Sequence, residues 1–134
     1  MDRVFLWRGE FNSVEYQSLH DNAFGSNSVS DAIDWPALVS VHSMGWVTAR
    51  DGSDFVGFVN VLWDGRTHAW IQDLMVNSAI RNQGVGTRLV LEARDGCVKM
   101  NCEWLHVDFE DCLANFYFES CGFRPSSAGL VHLK

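Results

Sequence analysis

The segment Leu74-Met75-Val76-Asn77-Ser78-Ala79-Ile80-Arg81-Asn82-Gln83-Gly84-Val85-Gly86-Thr87-Arg88-Leu89 restricts the possible folds more than any other stretch of the chain. An apolar run ends, a polar loop follows, and two glycines flank Val85 where a helical pattern opens. Val85, Leu89, Val90, Ala93, Cys97 and Met100 then recur at helical spacing, with Asp95 and Lys99 as an i,i+4 pair on the other side. A strand that passes through a glycine turn into an amphipathic helix packs helix on sheet, so the fold class is α/β or α+β. Gly84 and Gly86 let backbone amides approach a ligand with no Cβ in the way. Those amides and the positive end of the helix make a nest for an anion. Arg81 before the glycines and Arg88 one turn into the helix add two positive charges suited to a diphosphate.

The remaining elements follow from pattern and punctuation. Val4 to Arg8 reads as a first strand. Asn12-Ser13-Val14-Glu15 has the form of a capping box, with Phe11 stapled onto Tyr16, and Tyr16, Leu19 and Ala23 continue one helical face. Ser26 to Ser30 is a polar loop, and Asp31 is placed to cap a second short helix whose bounds Pro36 blurs. Strands are expected at Trp46 to Arg50, at Phe55 to Trp63 and at Thr67 to Val76. The second is apolar on both faces apart from Asn60, as a central strand should be, and Asp64-Gly65 signals a two-residue hairpin after it. Beyond the glycine helix, Trp104 to Phe109 reads as a strand and Asp111 or Cys112 to Cys121 as a helix stopped by Gly122. Leu130 to Leu133 is expected to close the fold with a short strand. The predicted order is β-α-α-β-β-β-α-β-α-β, a mixed, mostly antiparallel sheet flanked by helices. With 134 residues and no repeat or linker, residues 1–134 form one domain.

Charge and cysteine usage narrow the partners. Ten Lys+Arg against seventeen Asp+Glu give a net charge of −7, the wrong sign for a duplex nucleic acid or an anionic membrane surface. That balance suits a cationic partner such as an amine. Cys97, Cys102, Cys112 and Cys121 include no C-x-x-C pair and match no zinc-finger spacing, so they read as reduced and largely buried thiols in a cytoplasmic protein with no bound metal. The apolar stretch at the N-terminus is too short for a signal peptide, and no run approaches the ~20 residues of a membrane span.

Two other glycine motifs are excluded by residue type. A Walker loop requires a lysine after its glycines, and a dinucleotide-binding fingerprint requires a third glycine where Leu89 stands. Arg81-x-x-Gly84-x-Gly86, between an apolar strand and an amphipathic helix, instead resembles the acetyl-CoA motif [QR]-x-x-G-x-[GA] of the GNAT superfamily of N-acetyltransferases. Phe116-Tyr117-Phe118-Glu119-Ser120-Cys121-Gly122-Phe123-Arg124-Pro125 resembles the FY-x-x-x-GF element on that family's last helix, and the element order is similar over nearly the whole chain.

The resemblance implies acetyl-CoA as co-substrate and an amine of a small molecule or peptide as acceptor, with formation of a homodimer left open. It implies that Arg81 and Asn82, with the amides of Gln83, Gly84, Val85, Gly86, Thr87 and Arg88, hold the pyrophosphate. Leu74, Met75 and Val76 are expected to pair their backbone with the pantetheine arm, and the Val76 amide or one beside it to donate to the thioester carbonyl. Tyr117 is the candidate general acid for the departing thiolate. The family tyrosine usually lies four residues before the glycine, which is Phe118 here, so this assignment requires a local bulge near Phe118.

A primary amine must also lose a proton before it attacks, a deficit of roughly 4.6 kcal/mol at neutral pH. Asp73, in the run Ile71-Gln72-Asp73-Leu74-Met75 where burial would raise its pKa, is the candidate base; His68 and Gln72 on the same strand, and His106, Asp108 and Glu110 around the next, are the other candidates. No cysteine has an activating histidine beside it in sequence, which favours direct attack in a ternary complex over an acyl-enzyme. Trp35, Trp46, Trp63 and Trp70 are candidates to line the acceptor pocket, with at least two of them expected in the core. A non-catalytic acyl-CoA sensor is the alternative reading.

Overall fold

A computed structural model describes residues 2–25 and 32–134. The expected loop at Ser26 to Ser30 and the expected cap at Asp31 lie outside the described residues. Strands β1 (Arg3–Trp7), β2 (Ser43–Asp51), β3 (Asp54–Trp63), β4 (His68–Val76) and β5 (Trp104–His106) form one sheet in the order β1-β2-β3-β4-β5. The first three pairings are antiparallel, and β4 pairs with β5 in parallel.

Helix α1 (Ser13–Phe24) opens with the predicted capping box. The Glu15 amide donates to Asn12 Oδ1 at 2.8 Å, and the Asn12 amide donates to Glu15 Oε2 at 2.9 Å. Phe11 lies 5.6 Å from Tyr16, centroid to centroid, completing the staple. Helix α2 (Trp35–His42) is capped by Asp34, whose carboxylate accepts from the Ala37 amide, with Pro36 in the first turn where its missing N–H costs nothing. Helix α3 (Val85–Lys99) carries the predicted apolar stripe, of which Val85, Leu89, Val90, Ala93 and Cys97 are buried and Met100 is exposed.

The helices sit on opposite faces of the sheet. On one, Val85, Leu89, Ala93 and Cys97 of α3 meet Val47, Val59, Val61 and Ile71. On the other, Tyr16 and Leu19 of α1 and Val39 of α2 meet Phe55, Phe58 and Met75. Two glycines make room for Trp7 in the α3 layer. A Cβ on Gly45 would fall 2.1 Å from its ring, and one on Gly96 would fall 2.3 Å from it.

Four sequence expectations are corrected. Strand β5 stops at His106 instead of running to Phe109, because β4 and β5 separate there. The segment 111–121 is not one α-helix: a 3₁₀ turn (Asp111–Leu113) leads to a π-helical turn (Phe116–Ser120). Residues 130–133 form no strand; Leu130, Val131 and Leu133 are each more than four-fifths exposed. The β3–β4 connection has four residues instead of two, since Asp64 Oδ1 accepts from the Arg66 and His68 amides and its own amide donates to the His68 carbonyl.

Candidate active site

Parallel pairing between β4 and β5 covers only His68↔Trp104, Ala69↔Leu105 and Trp70↔His106. Beyond that point β4 continues six residues to Val76, still paired with β3 on its far side as far as Gly57↔Val76. Among the described residues its near edge then has no strand partner. An open edge next to a diverging strand is the shape that takes an extended chain as an added strand.

A bulge lies within this open stretch. The β3–β4 register shifts between Phe58 and Asn60, and Asp73 sits at φ 51°, a left-handed conformation that aspartate tolerates better than most residues. The extra residue inverts the alternation of side chains. Ala69 and Ile71 face α3 before the bulge, and Leu74 and Val76 face it afterwards.

Where β4 ends, Asn77 caps a short 3₁₀ turn (Ser78–Ile80) by accepting from the Ala79 amide. Asn22 of α1 holds this turn, accepting from the Ser78 amide and donating to its hydroxyl. The loop then crosses Arg81, which is exposed, and Asn82 at φ 66°. Gly84 follows at φ 80° as the N-cap of α3, with no side chain capping the helix. The Arg88 amide already donates to the Gly84 carbonyl at 3.0 Å, so the amides left for an anion are those of Val85, Gly86 and Thr87. Arg88's guanidinium is likewise engaged: it donates to Glu92 at 2.8 Å and lies 4.7 Å over the Phe5 ring. Gln83 accepts from Arg3 at 3.2 Å. Of the two arginines expected at the loop, only Arg81 has a guanidinium uncommitted to these contacts.

The bulge required near Phe118 is present as the π turn. The Cys121 amide donates to the Phe116 carbonyl at 3.0 Å, five residues back, which adds one residue to the turn. Gly122, at φ 80°, ends the turn, and the Phe123 amide reaches the Tyr117 carbonyl at 2.9 Å. Tyr117 is thereby buried, 4.7 Å from the Phe109 ring in a stack, and it clusters with Val90, Leu74 and Val107. Phe118 is half-buried and meets Phe109 edge-on. Leu74 belongs to β4 and Val107 directly follows β5, so Tyr117 packs against the two parted segments on their α3 side. Burial, and behind it the Cys121 and Asp108 charges, push the Tyr117 phenol up to about 12. It carries its proton throughout the physiological range. Gly86 ties this turn to the loop, since a Cβ there would meet the Phe116 ring at 3.3 Å and Val76 at 3.7 Å.

Asp73 does not stand free. The Tyr16 hydroxyl donates to its Oδ2 at 2.9 Å, and Gln72 Nε2 lies 3.4 Å from Oδ1. Tyr16 is fully buried, and burial, then the Asp73 charge and the hydrogen bond to it, raise its pKa far above the ordinary phenol range, so it remains a donor. On the same face, His68 and His106 meet ring to ring with Nδ1 of one 2.8 Å from Nε2 of the other, and Trp70 stacks on His106 at 4.9 Å. Sequence reasoning named both histidines but did not join them, because parallel β4–β5 pairing leaves no local signal.

Of the four tryptophans considered for the acceptor pocket, three serve the core. Trp35 stacks on Tyr16 at 4.5 Å, Trp46 donates to the Gly9 carbonyl, and Trp63 packs in the α3 layer. Trp70 is the one exposed beside the cleft. Burial raises the thiols of Cys97, to about 12, and of Cys121, to about 11, which makes both poor nucleophiles.

The chain matches the model of the acetyltransferase (GNAT) family over residues 5–123. Its fold is similar to that of a GNAT family acetyltransferase from Streptococcus pneumoniae, with a TM-score of 0.78 at 20% identity over 99% of this chain and 98% of that one. A glucosamine-6-phosphate N-acetyltransferase from Arabidopsis thaliana superposes with a TM-score of 0.76 at 16% identity, covering 97% and 98% of the two chains. An aminoglycoside acetyltransferase in complex with a bisubstrate analogue, CoA-S-monomethyl-acetylneamine, gives 0.79 at 12% identity over 100% and 99%. No curated protein matches in sequence.

Proposed function

Because the chain belongs to the GNAT acetyltransferase family, we propose that it transfers acetyl from acetyl-CoA to a primary amine of a small molecule or peptide, by direct attack in a ternary complex. One observation carries this reading. The loop after β4 leads to the uncapped first turn of α3, the β4 edge beyond Trp70 has no strand partner among the described residues, and Tyr117 packs against Leu74 of that edge, an arrangement that supports a pyrophosphate at α3, a pantetheine arm along β4 and a thioester near Tyr117.

The residues present suit that co-substrate. The amides of Val85, Gly86 and Thr87, with the Arg81 guanidinium and the turn at Asn82 and Gln83, meet the diphosphate; Gly84 leaves the approach open, as no atom lies within 4 Å of where its Cβ would stand. The amide and carbonyl groups of Leu74, Met75 and Val76 pair with the arm, and the Val76 amide donates to the thioester carbonyl as charge develops on it. Arg88 contributes from behind, bracing the first turn through Glu92 and Phe5. Tyr117 protonates the departing thiolate. Asp73, fastened by Tyr16, presents a fixed negative charge to the incoming ammonium.

The amine class is supported by the net charge of −7 and by the neighbours, which act on an aminoglycoside and on glucosamine-6-phosphate. The raised thiols of Cys97 and Cys121 support direct attack over an acyl-cysteine. Four unpaired cysteines support a reducing, cytoplasmic setting, and no described helix is long and apolar enough to cross a membrane. A homodimer is compatible with the exposed apolar residues Leu130, Val131 and Leu133.

The test is thiol release from acetyl-CoA against a panel of primary amines, with hydrolysis as the blank. Amine-dependent release is expected. Tight CoA binding without release by any amine would make the chain an acyl-CoA sensor instead.

A further inference from the structure

We propose that His106, paired with His68, takes the proton from the acceptor amine. The inference rests on the acetyl-transfer reading above and assigns the proton to a residue other than the candidate base Asp73, one of whose oxygens is engaged by Tyr16.

Position is the first argument. His106 is the last residue of β5 and pairs with Trp70 at the point where β4 and β5 part. Residues paired across parallel strands share a face. Leu105 and Ala69 pack in the α3 layer, so His106 and Trp70 project from the opposite face. Tyr117 borders the cleft from the α3 side. Base and acid thus stand on opposite faces of one opening: an amine arrives past Trp70 and His106 while the sulfur departs toward Tyr117.

Chemistry is the second. A contact of 2.8 Å between Nδ1 of His68 and Nε2 of His106 requires one N–H and one lone pair. The pair accepts one additional proton without breaking that bond, whereas a second would set two N–H groups against each other. With Nε2 of His106 committed to His68, Nδ1 is its nitrogen for substrate. Trp70, stacked at 17° on the His106 ring, fixes the plane of the imidazole and offers its face to a cation. His68 is held in turn, its amide donating to Asp64 Oδ1 at 3.1 Å.

The steps balance. The ammonium gives one proton to Nδ1 of His106, leaving an imidazolium that shares N–H···N with His68. The freed nitrogen lone pair forms the C–N bond, the C–S electrons leave with sulfur, and Tyr117 protonates the thiolate. The second nitrogen proton restores Tyr117 through solvent, and the histidine pair releases its proton to water. The products are the acetamide, the free thiol and one proton. His106 is the catalytic residue in this scheme, and His68 is a positioning residue.

The experiment is thiol release from acetyl-CoA with the best amine of the panel, for wild type, His106→Ala, His68→Ala and His68→Asn. His106→Ala is expected to lose about 100-fold or more in kcat, with KM for acetyl-CoA unchanged, and to recover part of it when free imidazole is added. His68→Ala is expected to lose about 10-fold, while His68→Asn, whose amide stands where Nδ1 stood, keeps most of the rate. An active wild type whose His106→Ala variant turns over within twofold, or is slow and gains nothing from imidazole, would overturn the proposal alone. A wild type silent with every amine would overturn the acetyl-transfer reading and this proposal with it.

Discussion

The Tyr16 hydroxyl, fully buried in α1, donates to the Asp73 carboxylate at 2.9 Å and so fastens the helix to the bulge of β4. A left-handed aspartate in mid-strand is strained, and such strain persists only where the surroundings hold it. Tyr16→Phe removes the bond and leaves the ring in place. It is expected to lower stability by about 1.5–3 kcal/mol, the range for a hydrogen bond to a charged group. Asp73→Asn keeps a residue that tolerates the backbone and removes the charge, so it should raise KM for the amine about tenfold and leave KM for acetyl-CoA alone. Steady-state kinetics with each substrate varied in turn reads the difference; equal changes in both KM values would make Asp73 purely structural.

Cofactor binding is expected to depend on the loop amides more than on Arg88. CoA should raise the melting temperature of the wild type by mass action. Gly84→Asp puts an acidic side chain at φ 80° and beside the anion nest, and it should abolish that shift. Arg81→Ala should weaken CoA by about 1.5–3 kcal/mol, whereas Arg88→Ala should weaken it far less, because that guanidinium already pairs with Glu92. A larger loss at Arg88 than at Arg81 contradicts the assignment.

Gly96 lies within α3, where alanine is ordinarily better by about 1 kcal/mol. Here the added Cβ would fall 2.3 Å from the rigid Trp7 ring. The clash wins. Gly96→Ala is expected to destabilise by about 1–3 kcal/mol, the cost of overpacking, and chemical denaturation measures it. A neutral or stabilising result would mean that Trp7 does not lie in that slot.

The acid side of stability should report the Glu15–Arg50 pair, in contact at 2.6 Å. The Arg50 hydrogen bond is the leading cause that holds the Glu15 carboxyl below its ordinary range, with the Asn12 amide adding to it. A carboxyl lowered on folding contributes stability that is present above its unfolded pKa and lost as pH falls through its folded one. Glu15→Gln should therefore be less stable than the wild type at neutral pH and show a shallower loss below about pH 4.5, so that the gap closes in acid. Unfolding curves between pH 7 and pH 3 check the sign.

Much of the fold was legible because its signals are local. Asn12, Glu15 and Phe11 announce α1, the stripe from Val85 to Cys97 announces α3, and Gly122 ends its turn in the left-handed conformation as expected. The early end of β5 was not legible, since strand length there is set by divergence from β4 and not by the apolarity of residues 107–109. Leu130 to Leu133 has strand-like residues but no paired neighbour. At the site, the tyrosine offset demanded a bulge, which the Phe116–Cys121 bond supplies; the Arg88–Glu92 pair is an i,i+4 contact that the helix spacing already offered, whereas the commitment of Asp73 to Tyr16 joins residues 57 apart and depends on packing that no motif encodes.

The most direct measurement is turnover of Tyr117→Phe with acetyl-CoA and an active amine. Only a hydroxyl is lost from a ring packed against Phe109, so CoA affinity and the fold should be retained. If Tyr117 protonates the leaving thiolate, kcat and kcat/KM should fall together by about 10²–10⁴-fold. In wild type, activity on the alkaline side should persist until the phenol, pushed up to about 12, begins to ionise. Turnover by Tyr117→Phe near the wild-type rate would contradict the account.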